Sequence, residues 1–121
     1  MAKTVMIVED NELNAKMFGD LLQARGYDTV AVKDGRLAFE AVRTSRPDLI
    51  LMDIQLPGIS GLDVARAVKA DAALKATPII AVTAFAMAGD EQAILNGGCD
   101  AYLAKPVSTK AFFEAIGRFL D

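Results

Sequence analysis

The sequence predicts an α/β domain in which a parallel sheet carries helices on both faces. Three observations predict it. Short apolar runs, mostly β-branched, recur at residues 5–8, 29–32, 49–52, 79–83 and, more weakly, 101–104. Longer stretches with apolar residues at helical spacing fill the intervals between them. The whole chain has 121 residues and is 53% hydrophobic, which suits one packed core and argues against disorder. The crossovers between such strands are expected to be right-handed.

Each element has a local reason. The first strand stops at Glu9-Asp10. The first helix is expected to turn Leu13, Met17, Leu21 and Leu22 inward and to end at Gly26, a natural left-handed C-cap. The second strand ends in Lys33-Asp34, where Asp34 can cap the second helix. That helix carries Leu37, Ala38, Ala41 and Val42 before Pro47 forbids continuation. The third strand leads to Asp53. Ser60 opens the third helix, with Asp63 three residues on as a variant of the capping box, and Leu62, Ala65 and Val68 are its expected core side. The fourth strand ends in Thr83, and the fourth helix is expected around 88–95, ending at Gly97-Gly98. The fifth strand runs into Lys105-Pro106. The last helix begins at Ser108 and aligns Phe112, Ile116, Phe119 and Leu120. There is no internal repeat beyond this strand–helix rhythm.

Composition excludes several chemistries. The net charge of −3 lacks the basic stripe that nucleic-acid binding needs. With no histidine, Ser-His-Asp and Cys-His catalysis and histidine-based metal sites are ruled out. A lone cysteine, Cys99, cannot form an internal disulfide and reads as a small packing residue in a reducing compartment. No stretch reads as a signal peptide or membrane span, so the expected location is the cytoplasm. GxGxxG and Walker-A patterns are absent, which leaves nucleotide binding unsupported.

In a doubly wound sheet, ligands bind beyond the carboxyl ends of the strands. The residues that end the apolar runs are therefore informative. With strands in the order 2-1-3-4-5, Glu9, Asp10, Asp53, Thr83 and Lys105 converge on one cleft. Taken singly, each has an ordinary reading as a cap, a strand residue or a solvated charge. Taken together they are hard to explain structurally. Two like charges 4 Å apart cost about 4 kcal/mol at an effective dielectric near 20, so three clustered carboxylates cost on the order of 10 kcal/mol. That is comparable with the stability of a whole domain, and protonation or a cation must relieve it. An all-oxygen donor set points to Mg²⁺, with Mn²⁺ as an alternative hard ion. Asp53 could then accept a phosphoryl group, with Thr83 and Lys105 binding its oxygens.

Glu9-Asp10, the apolar strand into Asp53, the segment 52–58, Thr83-Ala84 and Lys105-Pro106 resemble the response-regulator receiver domain, in order and over essentially the whole chain. The resemblance implies a flavodoxin-like (βα)5 fold with the strand order 2-1-3-4-5, and residues 1–121 as a single receiver domain without an output domain. It implies that Asp53 is phosphorylated and that Asp10, Asp53, Glu9 (through water) and the carbonyl of Gln55 hold Mg²⁺. It implies that Thr83, Ala84 and Lys105 surround the phosphoryl group, that the bond before Pro106 is cis, and that Thr83 and Tyr102 form a switch. Gln55 and Phe85 would tune phosphate lifetime. Implied partners are a sensor histidine kinase/phosphatase or a histidine phosphotransfer protein, and a downstream protein reading the face of the fourth helix, fifth strand and fifth helix. The chain itself is expected to be a monomer that binds neither nucleic acid nor membrane. The stretches 8–14, 83–87 and 97–99 look most like single-domain regulators of bacterial cell division and polarity, some of which would be recruited to membrane-bound kinases or a cell pole.

Three rivals are weaker. A haloacid-dehalogenase-type phosphohydrolase needs a second Asp two positions after the first, where this chain has Gln55. A flavodoxin needs a Ser/Thr/Gly-rich phosphate loop where Glu9 and Asp10 stand. A degenerate receiver used only for docking would not keep the full set of acids and lysine.

Overall fold

Five strands and five helices alternate along the chain: β1 (Thr4–Val8), α1 (Glu12–Ala24), β2 (Asp28–Val32), α2 (Gly35–Ser45), β3 (Leu49–Asp53), α3 (Gly61–Ala70), β4 (Ile79–Thr83), α4 (Asp90–Asn96), β5 (Ala101–Ala104) and α5 (Thr109–Leu120). The structure, a computed structural model, describes residues 2–56, 58–84 and 90–120, with only the backbone of residues 90 and 91. All strand pairings are parallel, in the order β2-β1-β3-β4-β5. This is the flavodoxin-like order.

Register levels the strand ends. Val8 pairs with Met52, Met52 with Ala81, and Ala81 with Tyr102. One step further along, Glu9 and Asp53 therefore leave neighbouring strands side by side. Thr83 pairs with Ala104, which sets Lys105 just beyond the same edge.

The pleat sorts the core into two layers. Val5, Ile7, Leu49, Leu51, Ile80, Val82 and Leu103 pack with Phe18 and Leu22 of α1 and with Phe112, Ile116 and Leu120 of α5. Phe18 and Phe112 stack with ring centroids 5.4 Å apart, joining the two helices. On the other face Met6, Val8, Ile50, Met52, Ile79 and Ala81 meet α2, α3 and Ile94 of α4. Every residue of β3 and β4 is buried, as expected for inner strands of a sheet covered on both sides.

Two helices bear out part of the expected face, with Leu21 and Leu22 of α1 and Ala38, Ala41 and Val42 of α2 on the core, and depart from it elsewhere. In α1, Leu13 is 76% and Met17 43% exposed, while Phe18, Gly19 and Leu22 are buried. The small Gly19 lets the helix lie close to β1, with Ile7 nearest to where a Cβ would stand. In α2, Leu37 is exposed and Gly35, Ala38 and Val42 face inward. The third helix differs less: Val64 joins Ala65 and Val68 in the core, and Leu62 is half-buried.

The caps follow the sequence. Asn11, Asp34 and Ser60 accept backbone N–H groups at the starts of α1, α2 and α3. Asp63 turns to Arg66 instead of completing a capping box. Ser108 Oγ accepts from the Ala111 N–H at the start of α5. Arg46 takes the left-handed conformation (φ 48°) that lets the chain leave α2 ahead of Pro47. The first residues of the expected fourth helix, 88 and 89, lie outside the described residues.

At the sheet edge opposite the acids, Lys69 ties three segments together. Its ammonium donates to the Thr77 carbonyl at 2.8 Å, the Lys75 carbonyl at 3.2 Å and Asp100 Oδ2 at 2.9 Å. Asp100 Oδ2 in turn accepts the Ile79 N–H. Lys69→Met is expected to cost about 2 kcal/mol, the scale of hydrogen bonds to a charged group, in urea unfolding. It is expected to leave Mg²⁺ binding at the far edge unchanged.

Candidate functional site

Three carboxylates meet at the carboxyl edge of the sheet. Glu9 and Asp53 are 2% and 4% exposed, and Asp10 is open to solvent. One ligand atom from each of Glu9, Asp10 and Asp53 lies within 4.8 Å of the others. Each position has a backbone cause. The Glu9 N–H donates to the Val32 carbonyl, continuing the β1–β2 ladder one residue past the strand. Asp53 is the last residue of β3, and the next N–H, that of Ile54, donates to Val82. Asp10 follows Glu9 into the turn that Asn11 caps.

Lys105 answers the acids. Its Nζ lies 3.3 Å from both Glu9 oxygens and 3.4 Å from Asp53 Oδ2. The Lys105 N–H donates to the Thr83 carbonyl, tying the lysine to the end of β4. The Lys105–Pro106 peptide bond is cis. The Gln55 N–H donates to Asp53 Oδ1 at 2.9 Å, which leaves Oδ2 beside the lysine.

One ammonium does not neutralise two buried carboxylates. Burial pushes the Glu9 carboxyl up to about 7. Its hydrogen bond with Asp53 and the Asp53 charge add to that rise, and Lys105 opposes it. The Glu9 carboxyl therefore keeps a proton to higher pH than a free carboxyl does, and a hard cation would compete with that proton. The donor set is oxygen only, and with Asp10 on the open side it fits Mg²⁺.

The other expected site residues are placed as follows. Thr83 is buried at the end of β4, and Ala84 is exposed beside it. By strand alternation Thr83 shares the α2–α4 face with Tyr102, which packs half-buried against that core. Gln55 is exposed. Phe85 lies outside the described residues. Two neighbours escaped the sequence reading. Asn14, one turn into α1, donates from Nδ2 to Glu9 Oε1 at 3.5 Å. Gly61 lies beneath Asp53, so close that a Cβ there would stand 2.4 Å from the Asp53 carbonyl oxygen. Its signal was visible: a glycine directly after a capping serine.

The chain as a whole is similar to known proteins. Residues 5–117 match the model of the response regulator receiver domain. The chain is 56% identical over 120 residues to the polar-differentiation response regulator DivK of Brucella anthropi, covering 99% of this chain and 98% of that protein. Among solved structures it is similar to a response regulator from Chloroflexus aurantiacus (TM-score 0.94, 28% identity, 99% and 98% of the two chains). It is also similar to the receiver domain of a sensor histidine kinase from Pseudomonas aeruginosa, solved with magnesium coordinated in the active-site cleft (TM-score 0.90, 34% identity, 98% of each chain).

Proposed function

The chain belongs to the response regulator receiver family of two-component signalling, and from that premise we propose that it accepts a phosphoryl group on Asp53 from the phosphohistidine of a partner protein. The observation that carries the proposal is the buried Glu9–Asp53 pair, closed by Asp10 and faced by Lys105. In the reaction an Asp53 carboxylate oxygen attacks phosphorus and the N–P bond of the donor breaks, its electron pair returning to the imidazole. The Gln55 N–H holds Oδ1, so that Oδ2 is the oxygen beside the lysine. Lys105 offsets the charge spread over the phosphoryl oxygens, and Thr83 donates its hydroxyl to one of them. Glu9, Asp10, Asp53 and the Gln55 carbonyl would hold Mg²⁺, which supplies charge neutralisation at the phosphoryl group when bound; Mn²⁺ suits the same oxygens. Ala84 leaves the mouth of the site open.

The chain turns over no other substrate on this reading, catalysing only its own phosphorylation and dephosphorylation. Residues 1–121 work as one receiver domain. A protein donor suits the surface beside the cleft. Leu13, Met17 and Leu21 line a groove of about 450 Å³ on α1. Met17 also lines a second groove of about 500 Å³, with Ala84, Lys105, Pro106 and Val107. The donor would be a sensor kinase or a histidine phosphotransfer protein. Phosphorylation would move Thr83 and Tyr102 and so change the α4-β5-α5 face, where Leu95, Tyr102 and Arg118 border a cavity of about 310 Å³ for a downstream protein. Similarity to polar-differentiation regulators supports a role in cell division and polarity, with recruitment to a pole or to membrane-bound kinases. No helix among the described residues is long and apolar enough to cross a membrane.

Incubation with acetyl phosphate and Mg²⁺, read by intact mass, is expected to give a single phosphate adduct that Asp53→Asn abolishes. No adduct on the parent chain, or an equal adduct on the variant, would sink the proposal.

A further inference from the structure

We propose that Asn14 is a positioning residue for Glu9, holding its carboxylate at the cation site independently of Lys105. The inference rests on the function proposed above and adds a residue to its machinery. Glu9 Oε1 has two donors among the described residues, Lys105 Nζ at 3.3 Å and Asn14 Nδ2 at 3.5 Å. Glu9 Oε2 accepts from the same Lys105 ammonium at 3.3 Å. Lys105 is shared, since the same ammonium lies 3.4 Å from Asp53 Oδ2. A phosphoryl group on Asp53 would compete for that ammonium, and each shift of the lysine toward it weakens the hold on Glu9. Asn14 is not shared in this way. Its amide is neutral, and among the described residues no other site residue accepts from it.

Its backbone is also fixed independently of its side chain. The Asn14 N–H donates to the capping Asn11 Oδ1 at 3.0 Å, so the first turn of α1 stays formed whatever the residue 14 side chain does. That turn sets the amide beside the cleft: Asn14 borders the same groove as Ala84, Lys105 and Pro106. A buried carboxylate with a donor on one oxygen has fewer orientations than one facing a single mobile ammonium. The orientation kept is the one that leaves Glu9 next to Asp10 and Asp53.

The test is a double-mutant cycle on the full chain, read as Mg²⁺ affinity by titration calorimetry without any phosphodonor. Asn14→Leu is expected to weaken Mg²⁺ binding about 3- to 10-fold, at or below the roughly 10- to 100-fold lost when a hydrogen-bond partner of a metal ligand is removed. In a Glu9→Met background, where no acceptor remains, the same substitution is expected to change affinity less than about 1.5-fold, whereas an effect not exerted through Glu9 would add unchanged in both backgrounds. Asn14→Ala serves as a second variant, so the cycle does not depend on how leucine packs, and thermal unfolding without Mg²⁺ checks that both variants fold like the parent. An equal loss in both backgrounds, or no loss in the parent background, overturns the assignment of Asn14 alone. A parent chain that binds no Mg²⁺ overturns the proposed function and this inference with it.

Discussion

Gly61→Ala is expected to destabilise the domain by about 3 kcal/mol, at the upper end of ordinary overpacking, and to cut Mg²⁺-dependent phosphate uptake sharply. The methyl group would stand 2.4 Å from the Asp53 carbonyl oxygen, 2.9 Å from Ile54 Cα and 3.0 Å from Met52 Cγ. Two of these three atoms are backbone, so no side-chain rotation relieves the clash. Either the start of α3 lifts off the sheet or the end of β3 is pushed aside, and Asp53 sits on that end. The Gly61 N–H also donates to the Ile54 carbonyl at 3.0 Å, which any such shift stretches. Gly19→Ala is the matched control. Its Cβ would meet only Ile7 Cδ1 at 3.9 Å, inside a helix, so it is expected to stabilise by about 0.5–1 kcal/mol. Urea unfolding of both variants, with phosphorylation measured beside it, checks the pair. A Gly61→Ala chain as stable and active as the parent would mean that α3 adjusts freely beneath the acceptor.

Without Mg²⁺, stability is expected to fall as pH rises from about 4.5 to about 7, and to recover when Mg²⁺ is added. The folded Glu9 carboxyl titrates near 7 against 4.5 for the free group. Across that interval the folded chain binds more protons than the unfolded one, so raising the pH favours unfolding. The cation acts with the opposite slope. It takes the place of the proton, so its affinity rises with pH up to about 7 and then levels. At a concentration 100 times its dissociation constant, Mg²⁺ adds about 2.7 kcal/mol to the folded state. At that same concentration the gain is expected to be smaller near pH 5.5, where the proton competes. Chemical unfolding at the two pH values, with and without Mg²⁺, checks this. An equal Mg²⁺ gain at both would remove Glu9 from the cation site.

Most of the site was legible because parallel strands put chemistry at their ends. Once the apolar runs are placed, Glu9, Asp53, Thr83 and Lys105 must share an edge, whatever the details of packing. The face of α1 was not legible. Leu13, Met17 and Leu21 form one apolar stripe, and Phe18 and Leu22 lie on a neighbouring one flanked by Ala15 and Gly19. Spacing alone cannot choose between adjacent stripes. The sheet chooses the one whose small residues allow close approach, and Leu13 and Met17 are left outside. Leu37 in α2 is exposed for a similar reason, since Gly35 and Ala38 take the inner face. Asn14 was not legible because its partner, Glu9, is reached across a turn whose geometry the sequence does not state.

The complete burial of β3 and β4 bears on how a signal can leave the site. Backbone amides in such strands are expected to meet solvent only when the whole domain opens, so the proposed acceptor stands on a part of the molecule expected to open last. β5, at the rim, is only partly covered, with Ala101 and Tyr102 half-buried and Ala104 exposed. The proposed covalent event on Asp53 would therefore find its own strand held in place. On that reading the signal would move sideways, through side chains at the strand ends toward the rim, with the sheet as the fixed frame against which that displacement is measured.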